Sequence, residues 1–129
     1  VVVYEQQDGR YEQRQVIDTL PKGYDGQRWG AAIRLSPNGK FVISSNRAHD
    51  SLTVFRVAKD GLLEFVENIK SGGVCPRDFD FTKDGELVVV AHQEEGGLSL
   101  FGFDQSSGLL TDTGHRYGIE KAVGVLTCR

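Results

Sequence analysis

The apolar residues of this chain lie in short stretches that mostly alternate with polar residues and end at turn-forming residues. A period of two is typical of β-strands with one buried face, and no stretch shows the period of an amphipathic helix. Residues Leu87–Ala91 are apolar throughout, as expected for a strand buried on both faces. The pattern predicts eight strands in two sets of four: Ala31–Leu35, Phe41–Ser45, Leu52–Val57 and Leu63–Ile69, then Arg77–Phe81, Leu87–Ala91, Leu98–Phe103 and Leu110–Tyr117.

The two sets of strands repeat each other in one register. Gly39 and Gly85 are 46 residues apart, and so are Phe55 and Phe101. A repeat of this length, with four short strands and glycine-containing turns, is typical of a β-propeller blade. We therefore predict an all-β fold built from β-propeller blades, each a four-stranded antiparallel meander, with about two blades complete and partial strands on either side.

The length of the chain, 129 residues, is too short for a closed propeller, which needs roughly four to eight blades. The chain also lacks Met and opens with a strand-like run, so we interpret it as the C-terminal part of a single propeller domain. In this interpretation residues 1–19 form the outer strands of one blade, 31–69 a second blade, 77–117 a third and 124–127 a closing strand. Such a piece leaves two blade flanks uncovered, and we expect it to self-associate.

Composition and charge narrow the range of partners. The net charge of −3 argues against nucleic acid, and no apolar run approaches the length that spans a membrane. Cys75 and Cys128 lack metal-binding spacing; free thiols in a reducing compartment are a simpler interpretation than a disulfide between them. We therefore expect a cytoplasmic protein. The sequence contains no phosphate loop, dinucleotide fingerprint or metal-ligand cluster, so we predict no metal and no cofactor.

The connections of a meander alternate between the two ends of its sheet. The short hairpins therefore share one end, and the longer loops share the other, where binding groups concentrate in many folds. Arginine binds carboxylate or phosphate through a fixed fork of donors, and histidine moves protons near neutral pH. We predict a site for a small anionic substrate at the loop end, with His49 catalytic and with four substrate-binding residues: Asn46, Arg47, Arg77 and Gln93.

Most of these residues also have a purely structural interpretation. Arg47 and Arg77 could be solvated or salt-bridged surface groups, and Trp29 could pack between blades. Asp50 and Asp78 could cap turns. From the residues alone, these alternatives stay open.

Three motifs together resemble one known family. The run Ile33–Phe41 reads IRLSPNGKF, residues Ser45–Ser51 read SNRAHDS, and Cys75–Phe79 reads CPRDF. They resemble the lactonase family of seven-bladed β-propellers, which includes propeller-type 6-phosphogluconolactonases and the fungal 3-carboxy-cis,cis-muconate lactonising enzyme. The resemblance covers nearly the whole chain and corresponds to the C-terminal third of a family member. It implies that Arg47, His49 and Arg77 surround the mouth of the propeller channel.

The resemblance implies that the parent protein opens or closes a lactone, without metal or cofactor. The substrate would be a sugar-acid lactone such as 6-phosphogluconolactone, or a carboxymuconate lactone in a cyclase reaction. Arg47 and Arg77 would bind the anionic groups and stabilise oxyanion charge, and His49 would act as general acid or base. The fragment alone is expected to be inactive, because earlier blades would supply the rest of the pocket. Ala32 stands where many relatives carry Asp or Glu, which favours the alternative of a non-catalytic propeller that binds a protein or small ligand.

Overall fold

The structure, a computed structural model, describes residues 1–128. Within them it contains ten β-strands, and it contains no helix long and apolar enough to cross a membrane. The strands are β1 (Val2–Gln7), β2 (Arg10–Val16), β3 (Gly30–Leu35), β4 (Phe41–Asn46), β5 (Ser51–Val57), β6 (Leu63–Lys70), β7 (Pro76–Phe81), β8 (Leu87–His92), β9 (Leu98–Phe103) and β10 (Leu110–Tyr117).

Two of the sheets are the predicted four-stranded antiparallel meanders. Their strands lie in the orders β3-β4-β5-β6 and β7-β8-β9-β10, and β1 pairs with β2 in a separate two-stranded sheet. Each of the eight predicted strands begins and ends within one residue of the observed bounds. The chain is therefore all-β, and its two complete sheets have the strand order of propeller blades.

Matching glycine turns join the first two strands of each blade. Gly39, between β3 and β4, has a φ of 71°, and Gly85, between β7 and β8, has a φ of 72°. Residues other than glycine rarely adopt such positive φ values, because their Cβ atom clashes with the backbone. This explains why glycine stands at both positions. The 46-residue sequence repeat thus corresponds to a repeat of backbone conformation.

The segment Gly124–Thr127 does not form the closing strand that the sequence pattern predicted. The backbone N–H of Val125 donates to the Asp78 carboxylate at 3.1 Å, and that of Thr127 donates to Asp80 at 2.9 Å. Alternate N–H groups therefore bond to side chains of β7 instead of to the carbonyls of a neighbouring strand. Burial opposes the charged form of Asp80, but hydrogen bonds from Thr127 and from the backbone N–H of Phe81, together with the charge of Arg34, outweigh it and lower the pKa of Asp80. The prediction of a strand here is wrong.

The hydrophobic core joins the two blades. Phe41 of β4 packs edge-on against Phe103 of β9, with ring centroids 5.6 Å apart, and Phe103 packs against Phe81 of β7 at 5.3 Å. All three rings are buried, and fully burying one such side chain contributes about 1.5–3 kcal/mol. This packing fixes the position of one blade against the other, and hence the positions of the strand ends that carry the candidate site.

Candidate functional site

Three predicted site residues meet at the loop end of the two blades. Arg47 follows β4 of the first blade, while Arg77 and Gln93 belong to the second. The Gln93 Oε1 atom accepts a hydrogen bond from Arg47 Nη2 at 3.2 Å and another from Arg77 Nη1 at 3.1 Å. The prediction that both arginines lie at the same end of the sheets is confirmed. One amide oxygen holds both guanidinium groups, and each group keeps further donors for a ligand.

Arg47 is fixed by three additional contacts. Its Nε donates to Cys75 Sγ at 3.3 Å, and its backbone N–H donates to the Trp29 carbonyl at 2.7 Å. The guanidinium carbon lies 5.9 Å from the centroid of the Trp29 ring, within cation–π range. Trp29 itself is 52% exposed, so it is not packed between the blades. Arg47 is thus a positioned group and not a freely solvated one.

The two arginines line a cleft between the first strands of the two blades, which we call the arginine cleft. Its volume is about 310 Å³, and its lining residues are Gly30, Ala31, Ala32, Arg34, Arg47, Arg77, Asp78 and Val123. Three of these carry a guanidinium group and one carries a carboxylate, so the lining has a positive formal charge although the chain has a net charge of −3. An adjoining cleft of about 380 Å³ shares Gly30 and Arg47 and adds Arg28 and Trp29.

An ion pair spans the arginine cleft from one blade to the other. Arg34 Nη2 on β3 lies 2.8 Å from Asp78 Oδ1 on β7, and the Asp78 side chain is 19% exposed. The sequence analysis did not identify Arg34 as a site residue, and it left a turn cap open as one structural alternative for Asp78. The structure excludes that alternative, because Asp78 lies inside β7 and pairs with Ala91 of β8. The available signal was the alternation along β7, which places Asp78 on the opposite face from Phe79.

Asn46, a predicted substrate-binding residue, is not part of this group. Its side chain is only 2% exposed, and its amide nitrogen contacts the Thr19 carbonyl at 3.2 Å and the hydroxyls of Ser51 at 3.2 Å and Thr53 at 3.1 Å. Its oxygen accepts a hydrogen bond of 2.6 Å from the Thr19 hydroxyl. Asn46 therefore connects the segment before β3 to β5 of the same blade.

His92 occupies the equivalent position in the second blade, 46 residues after Asn46. It is fully buried, with Nε2 lying 3.1 Å from the Ser71 carbonyl and Nδ1 lying 3.2 Å from the Gly97 carbonyl. Desolvation lowers the pKa of His92 and outweighs the hydrogen bonds to these carbonyls, which act in the opposite direction. Each blade thus uses the last residue of its second strand to hold the segment that precedes the blade.

His49, the predicted catalytic residue, also lies outside the arginine cleft. Its Nδ1 lies 2.8 Å from the Ser51 hydroxyl, and its ring packs edge-on against Tyr24 with centroids 4.8 Å apart. Desolvation and, to a lesser degree, the charge of Lys70 lower the pKa of His49. The structure therefore brings together Arg47, Arg77 and Gln93 and leaves Asn46 and His49 apart from them.

Comparison with known proteins identifies the family. The model of the family described as "Lactonase, 7-bladed beta-propeller" matches residues 1–127. An uncharacterised protein, YwcC, of Lactococcus lactis is 46% identical over 112 residues, which cover 86% of this chain and 33% of that protein. A 6-phosphogluconolactonase of Serratia proteamaculans is 35% identical over 113 residues, which cover 88% of this chain and 34% of the enzyme.

A solved structure shows the same likeness in three dimensions. The periplasmic gluconolactonase PpgL of Pseudomonas aeruginosa superposes with a TM-score of 0.88 at 33% identity, over 94% of this chain and 34% of that protein. The chain thus spans about a third of the length of the curated relatives it matches. With the family model covering almost every residue, the chain belongs to the lactonase family of seven-bladed β-propellers.

Proposed function

We propose that this chain supplies the anion-binding part of the substrate site in a lactonase that hydrolyses a sugar-acid lactone such as 6-phosphogluconolactone. The observation that carries the proposal is the meeting of Arg47 and Arg77 on the single oxygen of Gln93, beside a cleft of about 310 Å³. Two guanidinium groups held side by side present planar forks of donors that match a phosphate or carboxylate group.

The chemistry of the arginine cleft suits the charge that develops in lactone hydrolysis. Attack of water on the lactone carbonyl produces a tetrahedral oxyanion, and positioned donors stabilise that charge more than they stabilise the neutral ground state. Arg47 or Arg77 could bind the anionic group of the substrate while the other faces the carbonyl oxygen. His49 was predicted to move the proton. Because His49 contacts Ser51 and Tyr24 and does not line the arginine cleft, its catalytic role is a hypothesis independent of the anion-binding role of the arginines.

The first experiment measures hydrolysis by the intact protein that contains this chain. Its substrates are 6-phosphogluconolactone, gluconolactone without the phosphate, and a carboxymuconate lactone. We expect the highest kcat/KM for the phosphorylated lactone, because the arginine pair then has a dianion to bind. A higher kcat/KM for the carboxymuconate lactone would identify the cyclase-type reaction instead. Absence of hydrolysis with all three would support the alternative, a non-catalytic propeller that binds a ligand through its loop end.

The second experiment tests the arginines directly. Replacing Arg77 by Ala should lower kcat/KM for 6-phosphogluconolactone by roughly 30- to 1,000-fold, which corresponds to about 2–4 kcal/mol of lost transition-state stabilisation. Lys83→Ala is the matched control, since Lys83 is an exposed cation in the hairpin between β7 and β8 at the opposite end of the blade. Equal activity in Arg77→Ala and in the unmodified protein would remove the anion-binding role.

We also propose that the protein acts in the cytoplasm. Cys75 and Cys128 are both free in the structure, as thiols are in a reducing compartment. The Pseudomonas relative is described as periplasmic, so the experiment has to distinguish these two compartments. Fractionation of cells with an antibody against the chain should place it with cytoplasmic markers, and recovery with periplasmic markers would contradict the proposal.

A further inference from the structure

Asp78 is the one carboxylate among the residues that line the arginine cleft. The other lining side chains are those of glycine, alanine, valine and arginine, and none of these accepts a proton at neutral pH. His49, which could do so, contacts Ser51 and Tyr24 and does not line the cleft. Within the cleft as the described residues form it, a proton acceptor for an attacking water is therefore available only at Asp78.

Both oxygens of the Asp78 carboxylate are held in place, and neither is saturated. Oδ1 receives a hydrogen bond of 2.8 Å from Arg34, and Oδ2 receives one of 3.1 Å from the backbone N–H of Val125. A carboxylate oxygen has two lone-pair directions, so each oxygen can accept one further hydrogen bond. The side chain is 19% exposed, which leaves room for contact with a water molecule in the cleft.

The backbone of Asp78 is equally well fixed. Asp78 pairs with Ala91 in the β7–β8 ladder, and the neighbouring Phe79 is fully buried in the core. Arg34 reaches Asp78 from the other blade, so the carboxylate is oriented by two strands of different sheets. A group positioned in this way by rigid elements suits proton transfer better than one on a loop does.

We propose that Asp78 is the general base of the reaction, an inference that rests on the proposed lactonase function. A water molecule attacks the lactone carbonyl carbon, and its proton passes to a carboxylate oxygen of Asp78. The bond between the carbonyl carbon and the ring oxygen then breaks, and the ring oxygen takes that proton and becomes the hydroxyl group of the open chain. The new carboxylic acid ionises and releases one proton to solvent, so the lactone and water give the sugar acid anion and one proton.

The test is the Asp78→Asn variant of the intact protein, assayed on 6-phosphogluconolactone. We expect kcat to fall by about 10²- to 10⁴-fold, the usual contribution of a general base, with little change in KM. Binding of the reaction product 6-phosphogluconate should be equal or tighter, because the variant removes a negative charge beside three guanidinium groups. A merely structural role would weaken this binding together with kcat. Asp112→Asn is the matched control: Asp112 also pairs with an arginine, Arg116 at 2.6 Å, but lies on the outermost strand β10.

A second variant gives a readout that a merely structural role of Asp78 would not change. Ala32 lines the same cleft from β3, on the same face as Arg34, so Asp at position 32 would place a carboxylate in the cleft from the opposite blade. Adding Ala32→Asp to Asp78→Asn should recover kcat by at least about tenfold. Failure of this recovery would overturn the inference.

The remaining outcomes separate this inference from the proposed function. Unchanged kcat in Asp78→Asn, with hydrolysis intact, would overturn the role of Asp78 alone. Loss of turnover in His49→Gln with normal turnover in Asp78→Asn would assign the base to His49. Absence of hydrolysis by the unmodified protein with every lactone would overturn both the function and the base.

Discussion

Replacing Asn46 by Ala is expected to destabilise the chain without weakening ligand binding. The sequence analysis assigned Asn46 to substrate binding, whereas the structure surrounds its amide with Thr19, Ser51 and Thr53. None of these three partners lines the arginine cleft. The variant therefore separates a structural role from a binding role at the same residue.

The expected loss of stability follows from the hydrogen bonds. The amide nitrogen of Asn46 has three acceptors within 3.2 Å but only two hydrogens, so two of these contacts can form at once. Together with the bond from the Thr19 hydroxyl, about three hydrogen bonds are lost. Each contributes about 0.5–1.5 kcal/mol, and the buried partners left behind add a penalty. We expect a loss of about 2–4 kcal/mol, equivalent to a Tm roughly 10 °C lower.

The assay is urea denaturation followed by circular dichroism, with calorimetric titration of 6-phosphogluconate alongside. Gln13→Ala serves as the control, because Gln13 is an exposed amide on β2 and its loss should cost less than about 0.5 kcal/mol. A free energy of unfolding for Asn46→Ala within about 0.5 kcal/mol of the unmodified chain would refute the structural role. So would a loss of binding in a variant that keeps its full stability.

Three further predictions concern the arginines, the buried histidine and the assembly of the chain. Arg77→Lys should recover only part of the activity that Arg77→Ala loses, because an ammonium group cannot reproduce a bidentate fork; full recovery in the kcat/KM measurement would contradict this. Because the pKa of His92 is lowered in the fold, the unfolded chain binds its proton more readily, and stability should fall as the pH drops below about 6.5. Urea denaturation at several pH values should show a shallower dependence for His92→Asn, and an unchanged slope would exclude His92 as its source. The chain alone should self-associate, since large apolar side chains such as Tyr11 and Leu126 are exposed; a single monomer boundary in sedimentation velocity at about 100 µM would argue against it.

Most of the fold could be predicted from the sequence because its determinants are local. Alternation of polar and apolar residues sets each strand, and glycine in a turn sets the connection between two strands. Both signals act within a few residues, which explains why the strand ends were predicted to within one residue. The connections of a meander alternate between the two ends of its sheet. This alternation was sufficient to place Arg47 and Arg77 at the same end, where both bind Gln93.

The role of each site residue depended on contacts between distant parts of the chain. Asn46 accepts a hydrogen bond from Thr19, which lies 27 residues before it, and no local pattern indicates that partner. Asp78 was not assigned to the site, because its partner Arg34 belongs to the other blade and lies 44 residues before it. The predicted closing strand failed for a similar reason, since the acceptors of its N–H groups are side chains of β7 and not a strand ladder.

The candidate site lies where equivalent positions of the two blades carry different residues. Positions 46 residues apart keep the same place in each blade, yet Arg47 corresponds to Gln93 and Ala32 to Asp78. The residues of these two pairs line the arginine cleft or hold its arginines. Because each blade supplies only part of the lining, the cleft exists only where two blades meet. Its geometry must then depend on the packing of Phe41 against Phe103, so a core substitution that loosens the blades should also weaken anion binding.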